Sequence, residues 1–166
     1  MRRTLAAGAA VALLALGPGA ATAAAPKKIT PKGVGQVKLG MTFKQLREKR
    51  LVGKLRPGCP LAENTRTARL RAPLKGAVNF TRSNPRKATD ITVRGGAKAR
   101  GVGIGDTLAD LKAKFPRRKV DHSQEDVLGV TLVFIPRKRN PKEMFAIDVD
   151  TKKITLIGVP IIAVCE

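Results

Sequence analysis

Tryptophan and tyrosine are missing from this chain, and 166 residues hold one histidine and two cysteines. The missing indoles and phenols exclude a nucleic-acid surface built on stacked aromatics. So few histidines and cysteines exclude a metal centre rich in them and a disulfide-dense miniprotein. Acids are scarce as well: 12 Asp and Glu stand against 33 Lys and Arg, a formal net charge of +21. Long apolar runs are also lacking beyond the first segment, where Leu5 to Leu16 falls short of the roughly 20 residues that span a bilayer core. The length admits one domain or two small ones.

The first segment, 1–23, reads as a secretory signal. Arg2 and Arg3 supply the charged start, and Leu5 to Leu16 contains only Ala, Gly, Val and Leu. Gly17-Pro18-Gly19 breaks the run, and Ala21-Thr22-Ala23 matches the small-residue cleavage pattern. No Cys follows to carry a lipid anchor, so the mature chain is expected without a transmembrane anchor and either extracellular or associated with the cell wall. The segment carries two basic residues and no acid, leaving 31 bases against 12 acids on 143 residues, a net +19. Such a length can bury a modest core.

Export also bears on the cysteines. In an oxidising compartment, a bond between Cys59 and Cys165 is the default. It would close a loop of about 100 residues and stabilise by roughly 4–5 kcal/mol in the chain-entropy picture. Two buried thiols, or a bridge between chains, are the other readings.

A 13-residue pattern occurs twice at a constant offset of 65. Val37, Gly40, Thr42, Leu46 and Lys49 match Val102, Gly105, Thr107, Leu111 and Lys114. Leu39/Ile104, Phe43/Leu108 and Arg47/Lys112 are conservative pairs. Thr42 with Gln45 has the spacing of a capping box, and Thr107 with Asp110 is the weaker copy. Met41 and Leu46 stand where a hydrophobic staple belongs. Gly40 and Gly105 permit a sharp turn before each helix. Pro116 stops the second helix, and the first is expected to end near Leu51.

Strand signals follow each helix, at 67–72, 77–81 and 90–94 and again at 127–135, 144–149 and 154–159. Val78/Phe80 and Ile91/Val93 alternate with Asn79/Thr81 and Thr92, the pattern of a half-buried strand. The predicted fold class is α+β: a helix and three antiparallel strands, used twice. The expected divisions are a linker over 24–32, a first repeat over 33–98 and a second over 101–166, with the junction near Lys98 to Gly101. Neither half suffices alone, so their sheets should be joined or packed closely. All five Phe are expected inside.

The turn Gly40-Met41-Thr42 leading to Gln45-Leu46, its second copy from Ile104 to Leu111, and the closing Cys165-Glu166 resemble secreted actinobacterial tandem-repeat proteins. These are related to the β-lactamase inhibitory protein fold. One unit also resembles the small outer-membrane assembly lipoproteins. The resemblance covers about 33–166 and implies a fold of two helix-plus-sheet repeats. Inhibitors of that family present an acidic hairpin tip and an aromatic-rich concave sheet. Here the hairpin from Arg82 to Lys87 is basic and no Trp or Tyr is available, so the inhibitory activity is not carried over.

Catalytic patterns are sparse. Asp121-His122-Ser123 holds triad residue types, but adjacent residues do not generally aim at one another as a triad requires. Asp148 and Asp150 lack the glycine and distal acid of a calcium loop. Gly101, Gly103 and Gly105 lack the third glycine of a dinucleotide fingerprint, which falls at Asp106. The chain reads as non-enzymatic, without a cofactor, metal or catalytic residue.

Charge is the strongest functional signal. Lys44, Arg47, Lys49, Arg50, Lys54 and Arg56 surround the first helix, and Arg117, Arg118 and Lys119 follow the second. Arg137, Lys138, Arg139 and Lys142 fill a loop. A helix covers one face of a sheet. The other face is expected to be open and basic, with Arg69, Arg71, Asn79, Thr81, Thr92 and Arg94 as ligand-binding candidates beside Asp90. The leading expectation is a binding module for another envelope or extracellular protein. The other is an anionic cell-wall polymer held by charge. Nucleic acid is no physiological target of a secreted chain.

Overall fold

A computed structural model describes residues 25–59, 65–136, 143–148 and 150–163. The predicted signal segment, the basic loop 137–142 and Cys165 lie outside the described residues.

The chain is mixed α and β, and mostly sheet. It begins with the short strands β1 (Lys27–Thr30), β2 (Gly33–Val34) and β3 (Val37–Lys38), followed by helix α1 (Phe43–Glu48). Four longer strands come next: β4 (Val52–Pro57), β5 (Arg66–Leu70), β6 (Lys75–Phe80) and β7 (Ala88–Gly95). A second hairpin, β8 (Ala97–Ala99) and β9 (Val102–Gly103), leads to helix α2 (Leu108–Lys114). Strand β10 (Lys119–Asp121), the one-turn helix α3 (Glu125–Leu128), β11 (Val130–Ile135), β12 (Glu143–Asp148) and β13 (Ile154–Val159) complete the order.

Both helices start where their capping boxes place them. The Thr42 hydroxyl accepts the Gln45 N–H at 3.2 Å, and Gln45 Oε1 accepts the Thr42 N–H at 2.9 Å. Thr107 and Asp110 repeat this at 3.2 and 2.8 Å. Gly40 and Gly105, at φ of 80° and 87°, adopt the left-handed backbone ahead of each cap. The first helix is shorter than expected, with its C-cap at Lys49 and Arg50 already at positive φ.

Eight strands form one antiparallel sheet in the order β10-β11-β12-β13-β7-β6-β5-β4. The two runs of strands meet through β13 and β7, where Gly158 pairs with Thr92. A smaller sheet runs β3-β2-β1-β8-β9. Strand β1 falls in the segment read as a linker; it pairs with β2 antiparallel and with β8 in parallel. The segment read as the junction, Lys98 to Gly101, is the end and turn of the β8–β9 hairpin.

One contiguous core lies between the large sheet and a layer made by the helices and the small sheet. It joins Leu46 of α1, Leu111 of α2 and Val34 and Val37 of the small sheet to Val78, Ile91, Phe145 and Ile157.

Three further expectations are corrected. Each helix is followed by four strands rather than three, because β4 and β10 are edge strands whose Gly53, Lys54, Arg56, Lys119 and Asp121 hide the strand pattern. The strand expected from Val127 begins at Val130, because α3 forms first and Gly129, at φ 63°, ends it. Four of the five Phe join the main core or pack against it. Phe134 lies on the opposite face, in a second apolar cluster with Leu132, Met144, Ala146 and Ile162.

Candidate functional site

Alternation along β4 to β7 sends Val52, Ala68, Val78, Ile91 and Val93 toward the helices. The residues between them therefore face the other way. Register lines these up in rows. Arg56 pairs with Thr67, Thr67 with Asn79 and Asn79 with Asp90. In the next row Arg69 pairs with Ala77, Ala77 with Thr92 and Thr92 with Gly158.

A cavity of about 500 Å³ opens on this face, with Arg69, Asn79, Thr92 and Arg94 in its lining. Strand β6 contributes Gly76, Ala77 and Asn79 to the lining, and the residue it sets opposite Arg69 is the small Ala77. Gly76 has a further reason to be glycine: at φ 139°, a Cβ there would lie 2.0 Å from the Thr92 carbonyl oxygen.

Four of the six ligand-binding candidates thus share one cavity. Two do not. Strand β5 ends at Leu70, so Arg71 falls in the following turn and lines a separate cavity of about 200 Å³ with Arg50, Pro73 and Leu74. Thr81 belongs to the β6–β7 hairpin, where its hydroxyl accepts the Lys87 N–H at 2.9 Å and donates to the Ser83 carbonyl at 3.1 Å. Sequence reasoning missed Thr67, Gly58, Cys59 and Ala163 in the larger cavity. The cysteine pattern was the available signal for the last two, because Ala163 stands two residues before Cys165.

Polar groups on this face are unevenly satisfied. Asp90 is buried; its carboxylate accepts from Asn79 Nδ2 at 2.8 Å and from the Thr89 hydroxyl at 2.9 Å. Burial pushes its pKa above the ordinary aspartate range despite these two donors. The Thr92 hydroxyl is buried and makes no hydrogen bond among the described residues. Neither Arg69 nor Arg94 forms an ion pair there; the described pairs are Lys98 with Asp106 and His122 with Glu125.

The face is less open than expected. Across β11 to β13 it is apolar, and the chain after Val159 folds back over it. A Cβ on Gly158 would stand 2.2 Å from the Ile161 carbonyl carbon. Ile162 packs with Leu132 and Met144, and its N–H points at Met144 Sδ at 3.1 Å. Basic character is confined to the β4–β7 half.

Elsewhere, His122 is exposed and its Nδ1 lies 2.6 Å from Glu125 Oε1. The Thr131 hydroxyl donates to that same oxygen. Asp106 Oδ2 accepts the Gly103 N–H at 2.8 Å and occupies the glycine-rich turn before α2. Among the described residues no group of three or more His, Cys, Asp or Glu is placed to hold a metal ion. No described helix is long and apolar enough to cross a membrane.

Searches against protein-family models, curated proteins and solved structures found no match to this chain.

Proposed function

We propose that this chain is an exported, non-enzymatic recognition module that binds another envelope or extracellular protein through the face of its large sheet opposite the helices. One observation carries the reading. On that face a basic half, with Arg56, Arg69 and Arg94, adjoins an apolar half, with Val130, Phe134 and Leu156 half-buried. Protein interfaces join apolar contact to arginine. A phosphate-rich wall polymer would use only the charge.

The same proposal takes the fold as two tandem copies of one unit, related to the β-lactamase inhibitory protein architecture. Equivalent hydrogen bonds support it. Gly40 N–H donates to the Ala88 carbonyl and Ala88 N–H to that of Met41, while Gly105 N–H donates to Ile154 and Ile154 N–H to Asp106. The bridges Thr42–Lys87 and Thr107–Lys153 tie each N-cap to the hairpin ahead of its unit's last strand. The Cys59–Cys165 bond belongs to the proposal too, supported by Cys59 and Ala163 lining one cavity.

The test is affinity capture from envelope and culture-supernatant extracts, washed at about 50 mM and then about 300 mM salt, a step that shortens the screening length by a factor of about 2.4. One protein retained through the wash, and lost with Arg69→Ala/Arg94→Ala, supports the module. Elution of everything together with anionic polymer overturns it in favour of polymer binding.

A further inference from the structure

We infer that the cavity between Arg69 and Arg94 is a socket for one carboxylate, the side chain of a Glu or Asp on the partner. The inference rests on the recognition reading above and names the group recognised.

Thr92 forms the floor. It is 9 % exposed, and its hydroxyl oxygen is shut off from solvent with no partner among the described residues. A buried hydroxyl left unbonded is unfavourable, so such a group points to a ligand that satisfies it. We take the hydroxyl to turn about χ1 toward the cavity that Thr92 lines. There it can donate to an anion, which has acceptors and no donors.

The walls favour the same chemistry. Arg69 and Arg94 stand two strands apart, roughly 10 Å across the sheet. Gly76 and Ala77 put little side chain between them, and neither guanidinium is paired with an acid among the described residues. Guanidinium presents parallel N–H donors that match the two oxygens of a carboxylate. Asn79 is already committed to Asp90.

The lining holds two arginines and no acid among the described residues, so its charge calls for an anion. Shape then separates the anions. The cavity is a local recess of about 500 Å³, with Cys59 and Ala163 at its lining. It suits one inserted side chain rather than a continuous phosphodiester polymer. A carboxylate carried on methylene groups reaches the Thr92 floor, whereas a terminal α-carboxylate sits directly against its own main chain.

The test is a two-dimensional ¹⁵N NMR titration of the full chain, following Thr92, Ala77 and the Arg69 and Arg94 Nε–H signals. The probes are N-acetyl-glutamate N-methylamide, N-acetyl-glutamine carrying only a terminal carboxylate, and dimethyl phosphate. The expected result is saturable shifts at these four residues with the first probe, and weaker binding of the other two. Arg69→Gln and Arg94→Gln should each weaken the first probe about tenfold, and Thr92→Val about threefold or more, in line with lost bonds to a charged group. Unchanged spectra elsewhere establish that the variants fold. No saturation with the glutamate probe, or equal or tighter binding of either other probe, overturns the socket. Thr92→Val without effect also overturns it. A failed titration beside salt-resistant capture of one protein leaves the recognition reading standing and removes only the socket.

Discussion

Asp90 shows how one buried carboxyl sets a pH dependence. Burial raises its pKa, so the folded chain holds this proton more tightly than the unfolded chain. Its contribution to stability is therefore complete below the ordinary aspartate range and is lost as pH rises through the raised value. Exposed acids run the other way. Thr107 lowers Asp110 through its hydroxyl and then its N–H, and Thr151 lowers Asp148 through its N–H and then its hydroxyl. Their contributions are present above the ordinary range and fade as pH falls through the lowered values. Asp90→Asn isolates the first effect, because the other acids are unchanged. In urea unfolding at about pH 3.5 and about pH 7.5, on either side of the ordinary aspartate value, the variant should gain on the parent chain at the higher pH. A difference that does not change with pH would show that Asp90 is not raised. The residue scale also marks where sequence reading stopped. Alternation placed Asn79, Asp90 and Thr92 on one face correctly. It could not show that Asp90 and Thr92 are buried on that face, because burial depends on strands and segments distant in sequence.

At the scale of elements, the two capping boxes were the most legible feature, since a cap is a local interaction within four residues. Thr42 and Thr107 each start a helix and also bridge to a distant hairpin. Thr42→Ala and Thr107→Ala should each cost about 0.5–2 kcal/mol, as N-cap truncations do, and Thr42→Ser should restore most of the loss. Chemical denaturation measures both. No loss from either alanine would mean that tertiary packing alone holds the helix starts. The strands β4 and β10 escaped notice for the opposite reason. Pairing on one side and charged side chains on the other leave an edge strand without the apolar alternation that marks an inner one. The returning C-terminal segment was also invisible in the sequence, and it yields a prediction. Gly158 leaves no room for a Cβ beside Ile161. Gly158→Ala should lift that segment off Leu132 and Met144, lower Tm and increase binding of a dye that reports exposed apolar surface. Unchanged dye binding would place the segment elsewhere in solution.

Across the whole molecule, the legible part was architecture and the illegible part was location. The offset of 65 between the two capping motifs anticipated two helices with sheets joined or packed closely, because each motif carries its own local instructions; the structure joins the strands in one sheet. Net charge announced a basic surface without saying where, since charge has no periodicity. Only the fold gathers Arg69 and Arg94 around Thr92 and leaves Arg71 apart. The charge itself has a consequence for stability. A chain at +21 repels itself on compaction, and the described ion pairs that could offset this are Lys98–Asp106 and His122–Glu125. Screening therefore removes more repulsion than attraction. The screening length falls from about 30 Å at 0.01 M to about 8 Å at 0.15 M ionic strength, so Tm should rise over that range of sodium chloride. The rise should shrink when Arg and Lys at exposed sites away from the cavity, such as Lys44, Lys49 and Lys54, are changed together to Gln. A Tm that falls with salt would mean that attractive pairs outweigh the repulsion, and the excess charge would then be part of what holds the fold.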